Sequence, residues 1–391
     1  MTGQAPYAAH PGGPHFALTL HQEAFGLEAR EWARKEVAPH ADAAAAGIFP
    51  AAVIRAAAER GYMGIVSPRS LGGLGLDHLC FALFVEEVSY VCASTAVALD
   101  VHASVGTEPL LWLGSEEQRR CFVPDLASGR VLAAFALTEP EAGSDAAGLR
   151  STARREGDDY VLDGGKTFIS NAGKAGLYTV LASTDREQGA RGITAFLVPA
   201  ATAGLTIGRP MHKMGLKGSV TAEIVLNQCR VPAANRLGAE GEGFKVAMRA
   251  LDSGRIGISA QALGIGRAVL DETMRILAHH DRAGGRIPQA TQFALADLAT
   301  SMEAARALTW EAARLCDSGL PFTKLASMAK LLATDGLMAG ATSALDLVAD
   351  LATPGETHRL ERYFLDARAT QLYEGTNQIQ RLVIARHTLG G

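Results

Sequence analysis

Apolar residues recur at three- and four-residue spacing from about Leu20 to Gly129, the period of helices packed on one face. "LHQEAFGLEAREWARKEVAPH" carries this period and stops at Pro39. "LDHLCFALFVEEVSY" starts another helix after "SLGGLG", and "SEEQRRCFVPDLAS" opens with a capping box from Ser115 to Gln118. The texture then changes. "DYVLDGGKTFIS", "LYTVLAST", "GITAFLVP" and "TAEIVLNQCRVP" are short β-rich runs separated by glycine, proline and polar turns, which predicts antiparallel β. After "GEGF" at 241–244 the helical period returns, with long helices expected near 244–280, 290–317, 322–350, 361–373 and 377–388. Helices, strands, then helices predict a multidomain α and β fold and not a βαβ sheet. The expected parts are an N-terminal α-helical domain at 18–130, a middle antiparallel β domain at 131–240 and a C-terminal α-helical bundle at 241–391. Residues 1–17 read as a disordered leader, with no basic segment ahead of an apolar stretch and so no signal peptide.

The 391 residues exceed one ordinary core, and 48% hydrophobic content supplies enough apolar material for two or three domains. A net charge of −4 and a pI near 6.3 argue against nucleic acid or an anionic membrane as partner. No uninterrupted apolar run approaches the roughly 18 residues that span a bilayer. Five scattered cysteines, none spaced C-x-x-C, fit a reducing cytoplasm and support neither a metal site nor a disulfide framework.

Among the motifs, "DGGKTF" at 163–168 contains G-K-T, yet Tyr160 stands where a phosphate loop needs its first glycine and a strand follows Lys166. Asp163-Gly164-Gly165 is better explained as a hairpin turn. "GGLGLD" and "LGIGR" lack the preceding strand of a dinucleotide site. Neither G-x-S-x-G nor H-E-x-x-H occurs. His279-His280-Asp281 reads as a solvated helix-end cluster, since adjacent side chains on a helix diverge.

More informative is "FALTEPEAGSDAAGLR" at 135–150, where Thr138, Gly143 and Ser144 could grip a polar ligand, or simply form a polar loop. In "GKTFISNAG", Phe168 and Ser170 share one strand face, an aromatic and a hydroxyl suited to a flat ring. "ALDSGRIG" puts Asp252 and Arg255 three apart on one helix face, as an ion pair or a ligand-binding pair. "QLYEGTNQIQRLVIARH" sets Glu374 at a helix break before Gly375. It is either a solvated loop residue with a glycine cap or a carboxylate base beside backbone donors.

"LTEPEAGSD", "GGKTFISNA", "HKMGLKGS", "LGAEGEGFKVAM", "ALDSGRIGISAQALGIG" and "YEGTNQIQRLVIARHTLG" together resemble the acyl-CoA dehydrogenase family, from about residue 18 to 389. The resemblance implies a homodimer or homotetramer with FAD between the β domain and the C-terminal helices. It implies an acyl-CoA or acyl carrier protein thioester as substrate, with electron-transfer flavoprotein or another acceptor as electron partner. Thr138, Phe168 and Ser170 would contact the flavin ring, with Phe135, Leu137 and Gly143 beside them and Thr376 and Asn377 also on the cofactor side. Ser144, Asp252, Arg255 and Gly375 would meet the thioester, and Glu374 would be the base. A thioester α-C–H is a weak acid, so its removal needs a positioned carboxylate and stabilisation of the enolate oxygen.

The departures from the family fall on the ADP half of FAD. Where Arg-x-x-Phe-Gly is expected, His280 and Ala283 stand at the arginine and phenylalanine positions and only Gly284 is kept. Where Gln-x-x-Gly-Gly is expected, Leu347 is followed by Asp350 and Leu351, and a carboxylate repels a diphosphate. The alternative function is therefore a flavin-independent acid/base enzyme on an acyl thioester (isomerase, dehydratase or cyclase) built on the same fold.

Overall fold

The computed structural model describes residues 17–282, 286–349, 351–352 and 354–390. The leader expected at 1–17 therefore lies almost wholly outside the described residues. The N-terminal part is helical: α1 (Leu20–Trp32), α2 (Ala41–Ala45), α3 (Ala51–Glu59), α4 (His78–Val91), α5 (Ala93–Val101), α6 (Glu108–Leu113) and α7 (Glu116–Ala127). Side chains cap α1, α4 and α7, the last as the sequence predicts. Thr19 with Gln22 and Ser115 with Gln118 form capping boxes, and Asp77 accepts from the Cys80 N–H at 2.7 Å. Pro39 does not end the first helical segment. The chain passes through a π turn (Ala33–Val37) and a 3-10 turn (Ala38–His40) and continues into α2. A proline in the first turn of a new segment forfeits no hydrogen bond the helix could have made.

Eight strands make the middle sheet: β1 (Ala133–Ala136), β2 (Thr152–Glu156), β3 (Asp159–Ser170), β4 (Leu177–Ser183), β5 (Ile193–Pro199), β6 (Leu205–Ile207), β7 (Thr221–Pro232) and β8 (Arg236–Leu237). Their order is β6-β7-β3-β2-β4-β5-β8, with β1 also on β4. The pairing is antiparallel except that β1 and the start of β2 run parallel to β4. β7 alternates over most of its length, as Ala222, Ile224, Leu226, Cys229 and Val231 turn into the core.

Two local expectations in β3 are corrected. Asp163-Gly164-Gly165 is not a hairpin turn: β3 runs through it, and its pairing with β7 slips one residue between Leu162 and Gly164. The hairpin lies earlier, at Gly157-Asp158 between β2 and β3. A second slip falls between Lys166 and Ile169, where Phe168 takes φ +59°, so simple alternation of Phe168 and Ser170 along one face is interrupted.

The C-terminal part is a bundle of α8 (Gly243–Arg282), α9 (Gln289–Asp317), α10 (Thr323–Val348), α11 (Pro354–Thr370) and α12 (Asn377–Thr388). α10 packs on α8, α9, α11 and α12, and α4 crosses onto α8, joining the two helical parts. By length and composition α10 could cross a bilayer, with a mean hydropathy of 1.2 over its most apolar window. However, Lys330 sits fully buried within it and is engaged by the loop before α12, the pattern of a core helix.

Candidate active site

Between α11 and α12 the chain turns through two left-handed residues, Glu374 at φ +52° and Gly375 at φ +87°. The left-handed form costs a non-glycine residue about 1–2 kcal/mol, so the surroundings must over-determine Glu374. They do so through the carbonyls. Gln380 Nε2 donates to Gly375 O at 2.8 Å and to Glu374 O at 3.1 Å, and Lys330 Nζ donates to Gly375 O at 3.0 Å. Thr376 caps α12 by accepting from the Ile379 N–H. A Cβ on Gly375 would lie 2.8 Å from Gln380 Nε2, so this position has neither the φ nor the room for a side chain.

The loop aims Glu374 at α8. Its Oε2 is buried and has no hydrogen-bond partner, close against the bare Gly254. Burial pushes the carboxyl up to about 8, opposed by the Arg255 and Lys330 cations and assisted by the Glu108 carboxylate. One helical turn along α8, the fully buried Asp100 lies against Gly257. Its Oδ1 accepts from Ser104 at 3.2 Å and its Oδ2 has no partner. Burial and the neighbouring Glu374 hold the Asp100 carboxyl well above the usual range. Tyr373 donates to Gln261 and faces the same two acids.

Arg255 pairs with Asp252 at 2.6 Å and reaches Ser327 at 3.2 Å, while Asp252 accepts from Thr323 at 2.5 Å. The i,i+3 ion pair foreseen from spacing thus forms, and its arginine faces Glu374. The Asn377 side chain turns inward: it accepts from Lys330 at 2.7 Å and donates to Thr334 at 2.8 Å and Asp335 at 2.7 Å. That placement commits its side chain to α10.

A second group of candidates lies on the β domain. Thr138 O accepts from the Thr167 N–H at 2.9 Å, tying the loop after β1 to the bulge of β3. Phe168 is 66% exposed there, between the half-buried Thr138 and Ser170. Phe135 is half-buried between two core clusters, and Leu137 is buried, its carbonyl accepting from Lys166. Gly143 and Ser144 are exposed, and a Cβ on Gly143 would meet nothing within 4 Å. The outward Phe168 fits contact with a flat ring, and the unpartnered Glu374 Oε2 and Arg255 Nε fit a polar substrate. Of the residues that depart from the family's FAD contacts, Leu347 lines a groove of about 340 Å³ with Leu298, Gly336, Gly340 and Ala344. The His280 side chain, Ala283 and Asp350 lie outside the described residues.

Sequence reasoning missed Lys330, Gln380, Asp100, Glu108 and Gly254. Lys330 left a signal, a lone cation in the apolar stretch "LASMAKLLATDGLMAG". Asp100 left none, because it is a single acid in a helix of small residues. Lys166 of the rejected phosphate loop is a buried partner of Glu139 at 2.7 Å.

Residues 19–130, 134–229 and 241–389 match the N-terminal, middle and C-terminal domains of acyl-CoA dehydrogenase. An acyl-CoA dehydrogenase of Bacillus subtilis is 45% identical over 377 residues, 96% of this chain and 99% of that protein. The structure of butyryl-CoA dehydrogenase from Megasphaera elsdenii superposes with a TM-score of 0.90 at 37% identity, over 96% of this chain and 99% of the other. That of an acyl-CoA dehydrogenase complexed with FAD from Bacillus anthracis does so with a TM-score of 0.85 at 27% identity, over 95% of this chain and 67% of that one. With all three domains matched in order, the chain belongs to the acyl-CoA dehydrogenase family, oxidoreductases acting on CH–CH groups.

Proposed function

We propose that this enzyme desaturates an acyl-CoA between its α- and β-carbons, with Glu374 as the base. The carrying observation is the pinned, left-handed Glu374, whose buried, unpartnered carboxylate oxygen lies against a bare glycine. The Glu374 carboxylate takes the α-proton, and its raised affinity for protons lets it retain that proton. The Glu374 backbone N–H stabilises the thioester oxygen as negative charge develops there. The Asp252–Arg255 pair and Ser144 bind the carrier arm, and Gly375 keeps the backbone bare beside it. FAD, when bound, supplies the acceptor for the β-hydride. Thr138, Phe168 and Ser170 would hold its ring, with Phe135, Leu137 and Gly143 behind them and Thr376 at the loop.

The likeness to butyryl-CoA dehydrogenase favours a short acyl chain on CoA, and electron-transfer flavoprotein is the fitting electron acceptor. Leu372, Leu382 and Phe293, 50%, 65% and 60% exposed, favour burial in a homo-oligomer. Free cysteines favour the cytoplasm. His280, Ala283, Leu347 and Asp350 in place of the family's FAD contacts favour a weak hold on the ADP half. An arginine–phosphate contact and an aromatic stack together contribute about 3 kcal/mol, so a nanomolar site that loses both binds FAD about 10²-fold more weakly, at roughly 0.1 μM or above.

The test is Glu374→Gln in FAD-supplemented enzyme. Turnover should fall by at least roughly 10²–10⁴-fold while the thioester Kd stays near wild type. Turnover above about a third of wild type would remove Glu374 as the base.

A further inference from the structure

We infer that Lys330 is a positioning residue for the base: it clamps the Glu374 loop from within α10 and directs its cationic charge at the Glu374 carboxylate. The inference rests on the reading of Glu374 as the base. Lys330 is fully buried, and a lysine is seldom placed so unless its ammonium is satisfied. Its Nζ spans the loop, donating to Gly375 O at 3.0 Å and to Asn377 Oδ1 at 2.7 Å. Asn377 is itself locked by Thr334 and Asp335, and Asp335 accepts from Gln371 and Arg381. One ammonium therefore fixes Gly375, which follows the left-handed Glu374, and Asn377, the first residue of α12. Gln380 shares the Gly375 carbonyl with Lys330 and adds that of Glu374, but carries no charge.

The charges around the base come from several elements. Arg255 of α8 and Lys330 of α10 favour the ionised carboxylate, and Glu108 of α6 opposes it. Asp100 at the end of α5 and Tyr373 from the loop face it too. Lys330 in turn faces Glu374 and Asp335, which favour its charge, and Arg255, which opposes it. Burial outweighs them and brings its amine down to about 7. Below about pH 7, where the Lys330 amine carries its proton, removing that cation leaves Arg255 alone against the acids, so there the Glu374 proton becomes harder to remove. The acid limb of turnover, which requires ionised Glu374, then moves to higher pH.

The experiment compares wild type, Lys330→Met and Glu374→Gln, each FAD-loaded, on butyryl-CoA with an artificial electron acceptor between about pH 5.5 and 9. Exchange of the thioester α-protons in D₂O, followed by NMR, gives a second readout. Lys330→Met should lower kcat at pH 7 by about tenfold or more, leave KM within about threefold, and move the acid limb of both readouts up by about one pH unit. Should Lys330→Met fail to fold, Lys330→Gln, which keeps a donor for the Gly375 carbonyl but no charge, faces the same expectation. An unmoved kcat, or a fall in kcat with an unmoved acid limb, overturns the inference. Turnover retained in Glu374→Gln would instead remove the base assignment. An inactive Glu374→Gln beside a wild-type Lys330→Met would remove only the role of Lys330.

Discussion

Glu374 fits the bundle only because residue 254 has no side chain: a Cβ on Gly254 would stand 1.7 Å from Glu374 Oε2. One turn further along α8, a Cβ on Gly257 would stand 2.0 Å from Asp100 Oδ1. Each glycine costs its helix about 1 kcal/mol relative to alanine, yet both lie within the 40-residue α8. The "SGRIG" segment is thus a groove cut into α8, in which two carboxylates from other elements lie on one face.

Gly254→Ala separates helix propensity from carboxylate placement. The methyl group favours the helix but drives the carboxylate away by more than an ångström. Displacements of that size can cost about 10²-fold in rate. Steady-state kinetics should show kcat down by about that factor, with circular dichroism unchanged. A variant within threefold of wild type would mean that the loop re-seats Glu374 at no cost to the reaction.

The raised Glu374 pKa also makes stability depend on pH. An ordinary glutamate near 4.5 becomes a group near 8 here, chiefly through burial. Between those values the unfolded chain releases the proton while the folded chain retains it. The stabilising contribution is therefore full below about 4.5 and is lost as pH rises through about 8. Glu374→Gln abolishes that dependence. Its Tm should match wild type near pH 5 and exceed it at pH 8–9, and equal Tm values across the range would contradict a raised folded-state pKa.

The three-part fold was legible because helical and strand periods alternate in long blocks, each with its own caps and turns. The capping box at Ser115 and the return of the helix after "GEGF" are local signals, and the structure has both. β3 was misread locally for a physical reason: Asp163-Gly164-Gly165 has the composition of a turn, but adjacent pairing with β2 and β7 draws it into a continuous strand with bulges. At the site, Glu374 and its glycine neighbour were visible because they break a helix. Lys330, Asp100 and Gly254 act through distances between helices, which no spacing within one segment encodes. Asp252 and Arg255 were visible as a pair, but only the fold shows that Arg255 also faces Glu374.

The last prediction concerns the lysine of the rejected phosphate loop. Lys166 Nζ donates to Glu139 Oε1 at 2.7 Å and to Leu137 O at 3.1 Å, and both charged side chains are almost fully buried. Glu139 also accepts from the Arg150 and Ser151 N–H groups, closing the loop that carries Gly143 and Ser144. Burial brings the Lys166 amine down to about 8 despite its partner, while the Glu139 carboxyl is held below its usual value by Lys166 and its other donors against the burial that raises it. Lys166→Met would leave the carboxylate buried without a cation, a loss of about 3–5 kcal/mol. Glu139→Gln in the same chain removes the stranded charge and should recover most of it. Urea denaturation of the single and double variants checks this, and a Lys166→Met variant within about 1 kcal/mol of wild type would show that the pair is not what holds this loop closed.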